Sequence, residues 1–282
     1  MFKPLFLREL LLAVGLTLAM LPRVQAQPMF EVPFVPTPYV VIDEMLRLAN
    51  VTAQDFVMDL GSGDGRVLIT AAKKFGARGV GVDLDEHLIF QSEAAAEQAG
   101  VADRVKFLQQ DLFNTDLSQA TVITMYLLPG VMMRLRPALL GLKPGTRLVS
   151  HDFRLDDWNP DVTTQVRKNT FLWIVPAKVA GKWQTRIALP GGEHAITLEL
   201  RQKFQEIDGI AQFDGRHAQV WEPRLSGDRL SFIIVDDRDR DNEASLYFEG
   251  RVSGDVIEGR FRRGTGNAQT VHSWRAVRAT VK

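Results

Sequence analysis

Eight residues, Asp59-Leu60-Gly61-Ser62-Gly63-Asp64-Gly65-Arg66, constrain the fold more than any other stretch of the chain. They follow the short apolar run Phe56-Val57-Met58. They precede residues 67–75, whose apolar positions 67, 68, 71, 72 and 75 recur at helical spacing. A buried strand that enters a helix through a turn of alternate glycines begins a parallel, helix-wound α/β sheet. The surrounding pattern agrees. It predicts a helix over 39–50, strands at 79–83, 105–108, 121–126 and 147–150, and helices at 87–99 and 132–140. Residues 163–166 and 170–175 read as two further strands that could finish the sheet.

From about residue 177 the helical periodicity disappears. Seven β-rich runs follow, at 183–189, 195–204, 218–221, 230–235, 245–252, 256–262 and 271–277. Turn signals stand among them: Pro190-Gly191-Gly192, Asp208-Gly209, Asp214-Gly215, Ser226-Gly227-Asp228 and Ser253-Gly254-Asp255. This predicts a small antiparallel barrel or sandwich. Gly181-Lys182-Trp183 resembles the Gly-x-Trp opening of lipocalin-like barrels, whose Trp plugs the barrel end. The acids of residues 236–241 alternate as in a calcium loop. Counted from Asp237, however, the sixth position is Asn242 where glycine belongs and the twelfth is Phe248 where glutamate belongs, so a solvated hairpin tip and no metal site are expected.

Ahead of both regions, Lys3 and Arg8 accompany an uncharged, mostly apolar run at 10–21, followed by Val24-Gln25-Ala26. This is the layout of a secretory signal, and the run is too short for an ordinary spanning helix. The expected division is therefore a targeting segment at 1–26, an α/β domain at 27–176 and a β domain at 177–282, with a chain ending at Lys178 able to fold. Export to the periplasm is expected, with membrane association through the N-terminal segment as the alternative. The absence of Cys removes disulfides, thiolate zinc sites, iron–sulfur clusters and cysteine nucleophiles together. The 34 basic and 34 acidic side chains balance, which argues against a nucleic-acid partner.

The ligand of the glycine turn is narrowed by its acids. A dinucleotide fingerprint spaces its glycines G-x-G-x-x-G around a pyrophosphate. Here the third glycine comes one residue early, and Asp59 stands where it would repel a phosphate. An acid there suits a cationic amine. S-adenosyl-L-methionine carries an ammonium, a sulfonium and no phosphate. Asp83 ends the second predicted strand, where it could grip both ribose hydroxyls, and Asp111 follows the third, beside the adenine edge. Leu84 and Leu112 would offer apolar faces to the base.

With these residues in place, 39–153 resembles a class I S-adenosylmethionine-dependent methyltransferase, a Rossmann-like sheet with helices on both faces. Val35-Pro36-Thr37-Pro38, the glycine string, Tyr126-Leu127-Leu128-Pro129 and Leu135-Arg136-Pro137 resemble bacterial relatives of a mitochondrial family. That family methylates lysines of the ATP synthase c-ring protein and the adenine nucleotide translocator. The resemblance spans about 30–178 and implies that Asp59, Gly61, Gly63, Asp64 and Gly65 hold the methionine part of the cofactor, with Asp83 and Leu84, and Asp111 and Leu112, serving its nucleoside.

Amine methyltransferases often carry Asn/Asp-Pro-Pro-aromatic where this chain has Tyr126-Leu127-Leu128-Pro129. A nucleobase amine is thus a weaker expectation than a lysine. Tyr126, Pro129 with the carbonyl near Leu128, and His151 are the acceptor-side candidates, His151 as a proton acceptor at neutral pH. Asp43 and Glu44 either face solvent or meet a cationic substrate. The expected activity is N-methylation of a protein lysine. A small-molecule amine is an alternative acceptor. An exported, non-catalytic module binding a cofactor, nucleoside or partner is the other alternative, because S-adenosylmethionine is made in the cytosol.

Overall fold

The computed structural model describes residues 34–189, 191–235, 245–263 and 269–279. The signal-like segment at 1–26 and the acidic run at 236–241 lie outside the described residues.

The first half runs α1 (Tyr39–Leu48), β1 (Phe56–Leu60), α2 (Arg66–Phe75), β2 (Arg78–Asp83), α3 (Glu86–Gln98), β3 (Val105–Gln109), β4 (Val122–Met125), α4 (Pro129–Leu140), β5 (Arg147–His151), β6 (Val162–Val166) and β7 (Lys168–Ile174). These strands form one sheet in the order β3-β2-β1-β4-β5-β7-β6. β1 to β5 are parallel, and β7 runs antiparallel to both of its neighbours. Alternation along each strand sends side chains to opposite faces. Val57, Val122 and Val149 meet Ile42, Leu46, Leu68 and Ile89 of α1, α2 and α3. Met58, Ile123 and Leu148 meet Met132, Leu135 and Leu139 of α4. Strand order reverses between β1 and β4, which opens a crevice at their carboxyl ends.

The second half is β8 (Gly181–Leu189), β9 (Gly192–Lys203), β10 (Glu206–Phe213), β11 (Arg216–Ser226), β12 (Arg229–Val235), β13 (Ser245–Ser253), β14 (Val256–Arg263) and β15 (Thr270–Arg278). Each strand pairs with the next and β15 returns to β8, so the sheet closes into a barrel and is not a sandwich. Closure leaves no free edge. Ile196, Phe232, Phe248, Phe261 and Trp274 are among the side chains that fill its interior. Trp183 is fully buried, its Nε1 donates to the Val179 carbonyl at 2.8 Å, and the Arg278 guanidinium lies over its ring.

The barrel has one strand more than the sequence pattern predicts. Asp208-Gly209 reads as a turn but lies inside β10. A Cβ on Gly209 would sit 2.5 Å from the Glu199 carbonyl oxygen of β9, so this glycine admits a close backbone approach. The turn falls earlier, at Phe204 and Gln205, where Phe204 takes φ +56°.

Candidate active site

The glycine turn is fastened from below by β2. The N–H groups of Gly61 and Ser62 both donate to the Val82 carbonyl, at 2.9 and 3.0 Å. Asp83 Oδ2 accepts from Gly63 N–H at 2.9 Å, and its Oδ1 accepts from Asp85 N–H at 3.1 Å. Gly61, Gly63 and Gly65 all have positive φ. A Cβ on Gly65 would come within 2.6 Å of the Phe107 ring, and one on Gly63 would run into Phe34. The turn therefore admits only glycine at these two positions.

Asp59 lies one residue before the end of β1, at the carboxyl side of the sheet, and is only 4% exposed. Its Oδ1 accepts from Thr124 Oγ1 of β4 at 2.7 Å. Burial pushes its carboxyl up to about 7, the Thr124 hydrogen bond opposes that rise, and the charges of Asp83 and Asp64 add to it. A buried acid with this proton affinity favours a cationic partner.

Asp111 caps the 3₁₀ turn Leu112–Asn114 by accepting from Phe113 N–H at 2.9 Å. Leu84 is exposed and Leu112 half-buried, both after strand ends on the crevice side. Asp64 behaves differently from the other acids. Both of its oxygens are engaged by Arg66, with Nη2–Oδ2 at 2.6 Å, so it neutralises the cation that opens α2.

On the acceptor side, Tyr126 follows β4 and His151 ends β5. Their rings lie 4.4 Å apart, and Phe153 stacks on Tyr126 at 6.0 Å. His151 is 3% exposed, and neither of its ring nitrogens has a hydrogen-bond partner among the described residues. Thr170 is its register partner on β7 and has an equally unpartnered Oγ1. Pro129 does not line a loop: it opens α4, with Leu128 as the N-cap. The Leu128 carbonyl already accepts from Val131 and Met132 N–H, at 3.0 and 3.1 Å. Asp43 pairs with Lys74 at 2.7 Å, and Glu44 lies 3.8 Å from Arg47.

Sequence reasoning missed Thr124, Thr170 and the segment over the glycine turn. Phe34 lies against Gly63, and Arg66 Nη1 donates to the Thr37 carbonyl at 3.2 Å. The alternation of β4 puts Thr124 on the face of Asp59, a signal that was present in the sequence.

A family model described as the ANTKMT methyltransferase domain matches residues 59–162. A protein-lysine N-methyltransferase of Saccharolobus islandicus is 43% identical over 154 residues, which cover 54% of this chain and 96% of that protein. The chain belongs to the protein-lysine N-methyltransferase family. A Mus musculus enzyme named as the lysine N-methyltransferase of the ATP synthase c-ring protein is 35% identical over 47% of this chain and 53% of its own length. Among solved structures, an RNA methyltransferase of Salinibacter ruber in complex with S-adenosyl-L-homocysteine is 50% identical and has a TM-score of 0.51. The match covers 51% of this chain and 96% of that one.

The protein is an S-adenosylmethionine-dependent methyltransferase with a C-terminal β-barrel. The site fits the cofactor. Asp59 is a buried acid suited to an ammonium, the glycine turn has no room for side chains, and its one arginine is already neutralised, as a phosphate-free ligand allows. The family model ends at residue 162, ahead of the barrel.

Asp83→Ala would unfasten both Gly63 and Asp85, so Asp83→Asn, which removes the charge and keeps one of the two acceptor oxygens for Gly63 N–H, is the milder test of a contact to the cofactor. The expected loss of cofactor affinity is roughly tenfold to hundredfold, from ~1.5–3 kcal/mol for a hydrogen bond to a charged group. Calorimetry showing unchanged affinity would reduce Asp83 to a fastener of the turn.

Proposed function

We propose that this methyltransferase modifies the side-chain amine of a protein lysine. The observation that carries the reading is the match along nearly the whole archaeal lysine methyltransferase. Bound S-adenosylmethionine supplies an electrophilic methyl group, and the protein supplies alignment and a neutral amine. Asp59, Gly61, Gly63, Gly65, Asp83, Leu84, Asp111 and Leu112 hold the cofactor, and Tyr126 orients the acceptor nitrogen. His151 takes the proton that the lysine ammonium sheds: one N–H bond breaks and the proton passes to an imidazole nitrogen. Burial holds the His151 pKa below the usual histidine range, with Asp152 working against that shift and Lys168 adding to it, so the ring is unprotonated at neutral pH.

The Salinibacter ruber relative favours RNA as the second reading. The balanced charge of this chain and the missing Asn/Asp-Pro-Pro-aromatic string support lysine over it. The N-terminal segment supports a place of action at or beyond a membrane, and the mature N-terminus in the host tests that.

Transfer of labelled methyl from the cofactor to host proteins, to RNA and to small amines decides among the acceptors. Label on lysine Nζ is the expected result, with Tyr126→Phe reducing kcat/KM about tenfold, the scale of one lost hydrogen bond of ~1.4 kcal/mol. Cofactor affinity should not change in that variant. Label on RNA alone would sink the lysine reading.

A further inference from the structure

The ten residues between β5 and β6, 152–161, connect two places. At the near end, the Phe153 ring stacks on Tyr126, and Ser150 Oγ donates to the Phe153 carbonyl at 2.8 Å. At the far end, Trp158 is fully buried. Two residues of the loop, Asp152 at φ +69° and Asp156 at φ +52°, hold left-handed conformations that non-glycine residues adopt at a cost. Such a path persists only where its surroundings fix it.

Much of what fixes the far end comes from the barrel. Trp158 stacks on Phe204 at 5.5 Å with the rings 15° apart. Trp158 Nε1 donates to Gln205 Oε1 at 2.8 Å, and Gln205 Nε2 donates back to the Asn159 carbonyl at 2.6 Å. Asn159 Nδ2 donates to Glu206 Oε1 at 2.7 Å. Lys203 Nζ lies 3.1 Å from Asp157, which also pairs with Arg136 of α4, and the Arg136 guanidinium lies over the Phe204 ring. The tip of the β9–β10 hairpin thus makes reciprocal hydrogen bonds with the loop and inserts an aromatic ring beside its tryptophan.

We infer that this hairpin is a positioning element of the methyl-acceptor site. Phe204 and Gln205 hold the 152–161 loop so that Phe153 supports Tyr126. The inference rests on the reading that the acceptor amine lies beside Tyr126. The cofactor residues Asp59, Asp83 and Asp111 belong to β1, β2 and the turn after β3, on the far side of β4 from this loop. Loosening the hairpin should therefore act on one substrate and spare the other, which simple glue between two halves would not do.

The test uses the full chain with Gln205→Ala and, separately, Phe204→Leu, which keeps an apolar side chain at the seat. Three quantities are read: amide hydrogen exchange over 152–160, the KM for a lysine-containing acceptor, and the dissociation constant of S-adenosylmethionine. Faster exchange in the loop, an acceptor KM raised about tenfold and a cofactor constant within twofold are expected for both variants. Gln205→Glu, which keeps an acceptor for Trp158 Nε1, should fall between Gln205→Ala and the unsubstituted chain. Unchanged exchange overturns the inference. So does faster exchange with an unchanged KM, or a cofactor constant that rises in step with KM. Absence of turnover in the unsubstituted chain overturns the lysine reading and, with it, the acceptor site that the hairpin serves. Turnover with variants that match the parent overturns the hairpin's role alone.

Discussion

At pH 8, Asp59→Asn is expected to stabilise the cofactor-free protein by a few kcal/mol while lowering cofactor affinity at least a hundredfold. The sign follows from burial. The Asp59 carboxyl sits at about 7 in the folded protein, against about 3.9 for an aspartate in an unfolded chain. Between those values the folded state holds a proton that the unfolded state has released, so stability falls as pH rises through the window. Above it the cost stays in full, at most about 4 kcal/mol for a shift of about three units at 1.36 kcal/mol each. Asparagine carries no charge to desolvate, and its carbonyl still accepts from Thr124 Oγ1. The gain should shrink as pH is lowered and vanish below about 3.9, where the aspartate is protonated in both states. The same carboxylate is the group suited to a cationic amine, so cofactor binding to the unsubstituted protein at pH 6 should release close to one proton. Denaturant titrations at pH 5 and pH 8, and calorimetry in two buffers of different ionisation enthalpy, check both halves. A variant less stable at pH 8 would mean that the Asp59 charge supports the fold.

That aspartate was legible in the sequence because a strand end, a glycine turn and a following helix are local patterns. Asp59, Asp83 and Asp111 come one per strand, and the sheet order brings their strand ends side by side. The class of the second half was legible for the same reason, since turns and alternation are local. What local pattern could not supply was the partner of each group. Asp64 is a loop acid like its neighbours until Arg66 claims both of its oxygens. Asp208-Gly209 has turn composition, yet the strand beside it decides, because β9 leaves no space for a Cβ at Gly209. Pro129 follows a strand in a string associated with acceptor binding, but its fixed φ also suits the first position of a helix, and α4 uses it there. Phe204 offered no signal at all. It lies at the end of one predicted strand, and its contact with Trp158 spans 46 residues of chain.

Trp158→Ala in the full chain is expected to cost about 3–5 kcal/mol, the range for deleting a large aromatic from a packed core. The side chain is fully buried among Leu155, Phe171 and Trp173 on the α4 face of the sheet, with Phe204 packed against that cluster. Trp173 Nε1 donates to the Trp158 carbonyl at 2.8 Å, so this indole anchors a backbone point that a second tryptophan depends on. Its own Nε1–H bond to Gln205 disappears with the ring, which leaves the Gln205 side chain with only its bond to the Asn159 carbonyl. At about 2–4 °C per kcal/mol for a protein of this size, the melting temperature should fall by roughly 10 °C. Removing residues 179–282 strips the other side of the same contact. It takes away Phe204, Gln205, Glu206 and Lys203 at once and exposes the indole that they cover. The expected result is a chain ending at Lys178 that melts well below the full protein, with rapid amide exchange around Trp158, even where it retains the glycine turn and its acids. Separability therefore has a measurable limit in this contact. A shortened chain that melts with the full protein, or a Trp158→Ala variant within about 1 kcal/mol of its parent, would show that the α/β half closes its own core without the barrel.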